Sequence, residues 1–336
     1  MPIARYDTIT LAHGGGGTLT AALIHEIFRP AFGATTSAPH DATAFQLANS
    51  RIAVTTDSYV VQPLFFPGGD IGSLAVNGSV NDLLMAGARP RILTAGFILE
   101  EGLPLATLQQ VAESMRRAAE TAGVRIIAGD TKVIERSRGD GLYINTSGVG
   151  EIIAEPPPAP ERIQPGDVVI LTGDIGRHGI AVMSVRHELT FDPPVASDCA
   201  SLHAPFMELF EKRFPLHCAR DLTRGGLGGA LCELAADAQV AIEIDEGSIP
   251  VIQPVQSACN LLGLDPLFVA NEGCAALFVP EANAQAALDV LQQHTTTAQA
   301  RVIGRVTAGS GVTAKTALGT RRRLMPPSGE QLPRIC

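Results

Sequence analysis

The chain predicts a two-domain α+β protein, and three observations carry that expectation. Its 336 residues exceed one ordinary hydrophobic core, since domains average roughly 150 residues. Runs rich in β-branched residues alternate with segments of helical periodicity. A proline cluster, PPPAP at 156–160, interrupts that alternation near the middle; proline lacks the N–H that a helix interior or a central strand needs.

The elements follow in order. Residues 1–40 form an N-terminal arm whose glycine-rich HGGGGT precedes LTAALIHEIF, a segment that should begin a helix. Residues 41–155 make the first domain. Within it RIAVTTDSYV reads as a strand running through Asp57, and IGSLAVNGSVNDLLMAGA as a helix despite an internal glycine. Leu105, Leu108, Val111, Met115 and Ala119 recur every three or four residues between Pro104 and Gly123, which predicts a second helix. VRIIAGD and LYINTSGVGE read as further strands. A linker at 156–165 leads to the second domain, 166–324, which opens on the strand DVVILTGDIG. Helices are expected there around Phe206 and Leu209, around Leu227, Leu231 and Leu234, and around Ala284, Leu288 and Leu291. Residues 325–336, MPPSGEQLPRIC, have the composition of a mobile tail ending in a reactive thiol.

A net charge of −9 and a pI near 5.4 argue against nucleic acid, whose phosphates call for a basic stripe. No apolar run reaches the roughly 20 residues that span a bilayer, and the N-terminus lacks an apolar signal core. The cytoplasm is therefore the expected compartment, with the six cysteines reduced. Cys199, His203, His217 and Cys218 include zinc-ligand types, but their spacing is irregular.

Three acids lie in TTDSY, VNDLL and AGDTK. Asp57, Asp82 and Asp130 would supply the hard oxygens that Mg2+ prefers beside bound phosphates, although an aspartate at a strand end taken singly is more often a turn or helix cap. Lys132 shares a face with Asp130 if the strand continues, as a phosphate-neutralising cation, a base of lowered pKa, or a surface lysine. Gly14, Gly15, Gly16 and Gly17 allow close backbone approach to an anion, although no P-loop lysine follows. DLTRGGLGG sets Arg224 at the start of a helix, where a phosphate could be held. His178 in TGDIGRHGI is read either in that way or as a helix-start residue without a ligand.

Together, TTDSYVVQPLFFPGGDIGSLAVNGSVNDLLMAGARP, GFILEEGLP, AGDTKVIER, DLTRGGLGGAL, ANEG and the terminal PRIC resemble the HypE family of hydrogenase maturation proteins over nearly the whole chain. That family belongs to the superfamily of aminoimidazole ribonucleotide synthetase and selenophosphate synthetase. The resemblance implies a PurM-like fold whose N-terminal domains pair through a β-sheet or barrel into a homodimer, with a layered C-terminal domain. It also implies a carbamoyl dehydratase activity: a HypF-type carbamoyltransferase loads the C-terminal cysteine, and ATP drives dehydration of the thiocarboxamide to a thiocyanate. The cyano group then passes to iron on a HypC–HypD complex for the [NiFe]-hydrogenase centre. By resemblance Asp57, Asp82 and Asp130 are carried over as Mg2+–ATP ligands and Gly14 to Gly17 as nucleotide cover, with Cys336 as the carrier thiol. Glu272 and Lys132 are the expected bases. A selenophosphate synthetase-like enzyme is the first rival, disfavoured because no cysteine precedes Cys199, and a non-enzymatic nucleotide-binding scaffold is the second.

Overall fold

The computed structural model describes residues 17–23, 25, 43–47, 50–316, 318–326, 332 and 334–336. Gly14, Gly15 and Gly16 lie outside the described residues, and Gly17 is the first residue of a helix, α1 (Gly17–Leu23).

The first half contains β1 (Thr43–Leu47), β2 (Ser50–Tyr59), the two-residue strands β3 (Phe65–Phe66) and β4 (Gly69–Asp70), α2 (Ile71–Met85), β5 (Ala88–Glu100), α3 (Leu105–Thr121), β6 (Arg125–Ile134) and β7 (Leu142–Ile152). Its five-stranded sheet has the order β1-β2-β7-β5-β6. All pairs are antiparallel except β5 with β6, which α3 joins as a crossover helix. Register decides which side chains share a face. Asp57 lies opposite Thr146, and Thr146 opposite Ala95, on the face that α2 covers through Ser79 and Thr146. Ser58, Asn145, Gly96 and Asp130 form the neighbouring row, so they point to the other face. Among the described residues, no element covers that second face.

Helix α2 is buried along nearly its whole length, which its sequence anticipates only in part. Asp70 caps it, accepting from the backbone N–H groups of Gly72 and Ser73, while Ser73 closes the capping box. The internal Gly78 has a steric cause: a Cβ there would sit 2.3 Å from the hydroxyl of Tyr59.

The second half contains β8 (Asp167–Leu171), α4 (Arg177–Arg186), α5 (His203–Glu211), β9 (Cys218–Asp221), α6 (Gly226–Asp237), β10 (Ala241–Asp245), α7 (Gln253–Leu262), β11 (Ala275–Pro280), α8 (Ala284–Leu291), β12 (Arg301–Thr307), β13 (Gly311–Lys315) and β14 (Arg321–Leu324). The seven-stranded sheet runs β14-β13-β10-β12-β8-β11-β9. Every residue of β8 is buried, as expected for an inner strand with helices on both sides. One apolar cluster joins the halves, with Leu74, Leu84 and Met115 on one side and Ile170, Phe206 and Leu277 on the other. A second lies under α6, where Leu227, Leu231 and Leu234 meet Ile242 and Val312. No helix among the described residues is long and apolar enough to cross a membrane.

The tail departs from expectation. Its sequence reads as lacking large apolar anchors, yet Leu332 and Ile335 are 6% and 2% exposed and belong to the apolar cluster that joins the two halves. Burying an aliphatic side chain contributes about 1.5–3 kcal/mol, enough to seat a short segment. The last residues run antiparallel to the chain just past β2. The Val60 N–H donates to the Cys336 carbonyl at 3.1 Å and the Gln62 N–H to that of Arg334 at 3.3 Å.

Candidate active site

The site begins on β2, where Thr55, Asp57 and Tyr59 alternate toward α2. The Thr55 hydroxyl donates to Asp82 on α2 at 2.6 Å, and the Tyr59 hydroxyl donates to Asp57 at 3.1 Å. Tyr59 is 3% exposed. Burial, then the charges of Asp57, Asp82 and Glu272, push its phenol well above the ordinary value, so it stays protonated and remains a donor. Asp57 and Asp82 therefore flank one buried phenol.

Glu272 comes from the loop before β11. Its neighbour Asn271 is fully buried and fixes that loop, accepting from the Gly176 N–H at 2.6 Å and donating to the Leu222 carbonyl at 3.0 Å. Glu272 itself is 3% exposed, and its Oε1 has no hydrogen-bond partner among the described residues. Burial, then Asp221, Asp198 and Asp57, raise its carboxyl well above the usual range, while Arg224 at the start of α6 opposes them. A buried carboxyl of raised pKa beside acids and one cation is suited to accepting a proton. Asp198 supports the loop, accepting the N–H groups of Glu272 and Gly273 at 3.1 and 2.9 Å. Burial raises its own carboxyl to about 6. On α2, Asn81 pins the same 197–202 segment through Ala200 and Leu202, and Asn77 donates to the Cys199 thiol.

The tail brings Cys336 alongside the end of β2, half-buried, with its carbonyl on the Val60 N–H, one residue beyond Tyr59. Asp57, Asp82 and Glu272 thus act on Tyr59, Arg224 acts on Glu272, and the main chain of Cys336 lies beside Val60, the next residue along. Asp130 and Lys132 are not. They pair with each other at 2.8 Å on the exposed edge strand β6, both side chains 70% exposed. Three inter-strand steps of ~4.8 Å separate Asp130 from β2, and it points to the opposite face. Within one chain Asp130 therefore stands apart from Asp57 and Asp82; among the described residues no group of three or more acid, histidine or cysteine side chains could hold a metal. His217 pairs with Asp167 at 2.9 Å, and Cys218 is buried in β9.

Sequence reasoning missed Tyr59 and Asp198 as members of the site. Tyr59 carried a signal, standing two residues after Asp57 on a strand and so on the same face. Asp198 carried none, because it lies in irregular chain whose partners are distant in sequence. His178, left open, is fully buried and turned toward the tail: Nε2 lies 2.7 Å from the Ile335 carbonyl and Nδ1 2.9 Å from the Ser197 hydroxyl.

Two main sheets with their helices, joined by one apolar cluster, define a class, the two-domain PurM-like proteins. Residues 39–152 match the family described as AIR synthase related protein, N-terminal domain, and residues 164–316 its C-terminal domain. The chain belongs, more narrowly, to the HypE family of carbamoyl dehydratases. It is 44% identical to carbamoyl dehydratase HypE of Azotobacter vinelandii over 99% of this chain and 98% of that protein. Among solved structures, it resembles HypE in a HypE–HypF complex, with a TM-score of 0.86 and 44% identity over 91% of this chain and all of the other. It likewise resembles HypE in complex with ATP, with a TM-score of 0.83 and 43% identity over 98% of this chain and all of the other.

Proposed function

We propose that this chain is an ATP-dependent carbamoyl dehydratase acting on its own C-terminal thiocarboxamide to supply the cyano ligand of a [NiFe]-hydrogenase iron centre. The observation that carries the reading is the seat of Cys336: the chain end is hydrogen-bonded beside Tyr59, the phenol that Asp57, Asp82 and Glu272 surround. A HypF-type carbamoyltransferase would load the thiol, and a HypC–HypD complex would accept the cyano group, in the cytoplasm.

The chemistry asks for a carrier, a leaving group and a base. The Cys336 sulfur carries the group –C(=O)–NH2, which becomes –C≡N as its oxygen leaves on phosphate and both nitrogen protons are released. When bound, Mg2+–ATP supplies the phosphoryl group that turns the amide oxygen into a leaving group, yielding ADP and phosphate. The donor set fits such a ligand. Mg2+ is commonly held by one or two carboxylates with phosphates and water, which Asp57 and Asp82 can provide; Arg224 offers an exposed guanidinium at the start of α6 for phosphate charge. Glu272 removes a nitrogen proton, its raised pKa making it a stronger base than an ordinary carboxylate.

Lys132 and Asp130 enter this reading from a second protomer. They sit on the uncovered face of the first sheet beside Ile98, which is 45% exposed. A homodimer packing that face would carry both residues toward the partner, so any part in nucleotide binding or proton transfer is played across the interface. The test is phosphate release by protein carbamoylated on Cys336. The reading expects one phosphate per carbamoyl group, and none from Cys336→Ala; equal release from both proteins would refute it.

A further inference from the structure

The hydrogen bonds that His178 and Arg186 make to the tail fall on its main chain. The Ile335 carbonyl can only accept, so His178 Nε2 carries the proton and Nδ1 accepts from the Ser197 hydroxyl. The Ser197 oxygen in turn accepts from the Cys199 N–H at 3.0 Å, and the adjacent Asp198 holds the loop of Glu272. Arg186, at the end of α4, donates to the Arg334 carbonyl at 2.7 Å and to the Gln62 carbonyl at 2.6 Å. It thereby ties the tail to the strand extension alongside. The Arg334 side chain adds an ion pair with Asp140 at 2.6 Å. Gly179 makes room for Leu332, whose Cδ1 would lie 3.0 Å from a Cβ at that position.

We propose that His178, its tautomer set by the Ile335 carbonyl, and Arg186 form a main-chain clamp that positions Cys336 for the reaction. Both are positioning residues: they hold the carbonyls of residues 335 and 334 and leave the sulfur to the site. Two consequences follow. The clamp is indifferent to what the sulfur carries, so free thiol, thiocarboxamide and thiocyanate are seated alike. The 197–199 segment also connects the clamp to the base, because consecutive residues orient His178 and the Glu272 loop.

The inference rests on the proposed dehydration only for its catalytic consequence, and its test needs neither ATP nor a carbamoyl donor. The full-length protein is alkylated with iodoacetamide and the rate at Cys336 is read by peptide mass spectrometry, alongside hydrogen exchange at the Val60 and Gln62 amides that donate to the tail. His178→Leu removes the ring donor, and His178→Gln restores an amide donor at similar reach. Asp140→Asn, on the surface, loosens Arg334 without touching the core. The clamp predicts alkylation and exchange about fivefold faster in His178→Leu and Asp140→Asn, the effect of roughly one net hydrogen bond, with His178→Gln close to wild type. Equal rates in all four proteins would overturn it, as would His178→Gln behaving like His178→Leu. Failure of the dehydration reading would leave these rates unchanged, so the two claims fail separately.

Discussion

His178 gives a hydrogen bond from Nε2 to the carbonyl of Ile335, 157 residues further along the chain, and both residues are buried. A helix near the start of the second domain thereby holds the residue before the terminal cysteine. Burial lowers the His178 pKa from 6.5 to about 4, so the ring is neutral at physiological pH. The unfolded chain binds that proton first as pH falls, so this stability is complete above about 6.5 and is lost as pH drops toward about 4. The loss amounts to at most about 3 kcal/mol. His178→Gln should melt with a smaller difference between pH 7 and pH 4.5 than the wild type; an equal difference would show that another group governs the acid limb.

Glu272→Gln tests the base. Its raised carboxyl must be ionised to take a proton, so thiocyanate formation should rise with pH through that raised pKa and level off above it. The glutamine variant should form thiocyanate at least about 100-fold more slowly, the usual scale for a lost general base, and should show no such rise. Single-turnover conversion of carbamoylated protein, followed by mass, measures both.

Gly78→Ala probes the packing that places Tyr59. The added methyl would meet the phenol oxygen, pushing it off Asp57 and costing about 1–3 kcal/mol as an overpacked core site. Combining it with Tyr59→Phe removes the clashing oxygen. Chemical denaturation should show the double variant more stable than the sum of the single effects.

The uncovered face of the first sheet predicts a homodimer. Light scattering should give twice the 35.1 kDa chain mass, and Ile98→Asp should return it to one chain mass. A wild-type monomer at micromolar concentration would leave Asp130 and Lys132 without a part in the site.

Much of this was legible in the sequence where the signal is local. β2 and α2 follow from β-branched and apolar spacing, and α3 from its three-and-four repeat. AGDTK does continue a strand that sets Asp130 and Lys132 on one face. What was not legible depends on register. Whether Asp130 joins Asp57 is decided by β7 and β5 lying between their strands, and no spacing along the chain encodes that order. The tail's composition suggested mobility because two aliphatic residues among prolines say nothing of a seat made by distant chain. Leu332 and Ile335 find theirs beside Gly179 and His178. Asp198 was invisible for the same reason, since its partners are the backbone N–H groups of Glu272 and Gly273.

The most direct test of the central claim is the intact mass of the protein before and after ATP is added to the form loaded by a carbamoyltransferase. Dehydration on the carrier thiol gives an adduct of about 43 Da on Cys336 that falls to about 25 Da as water is lost, with neither species on Cys336→Ala. An adduct that keeps its full mass in the presence of ATP, or that resides on another cysteine, would contradict it.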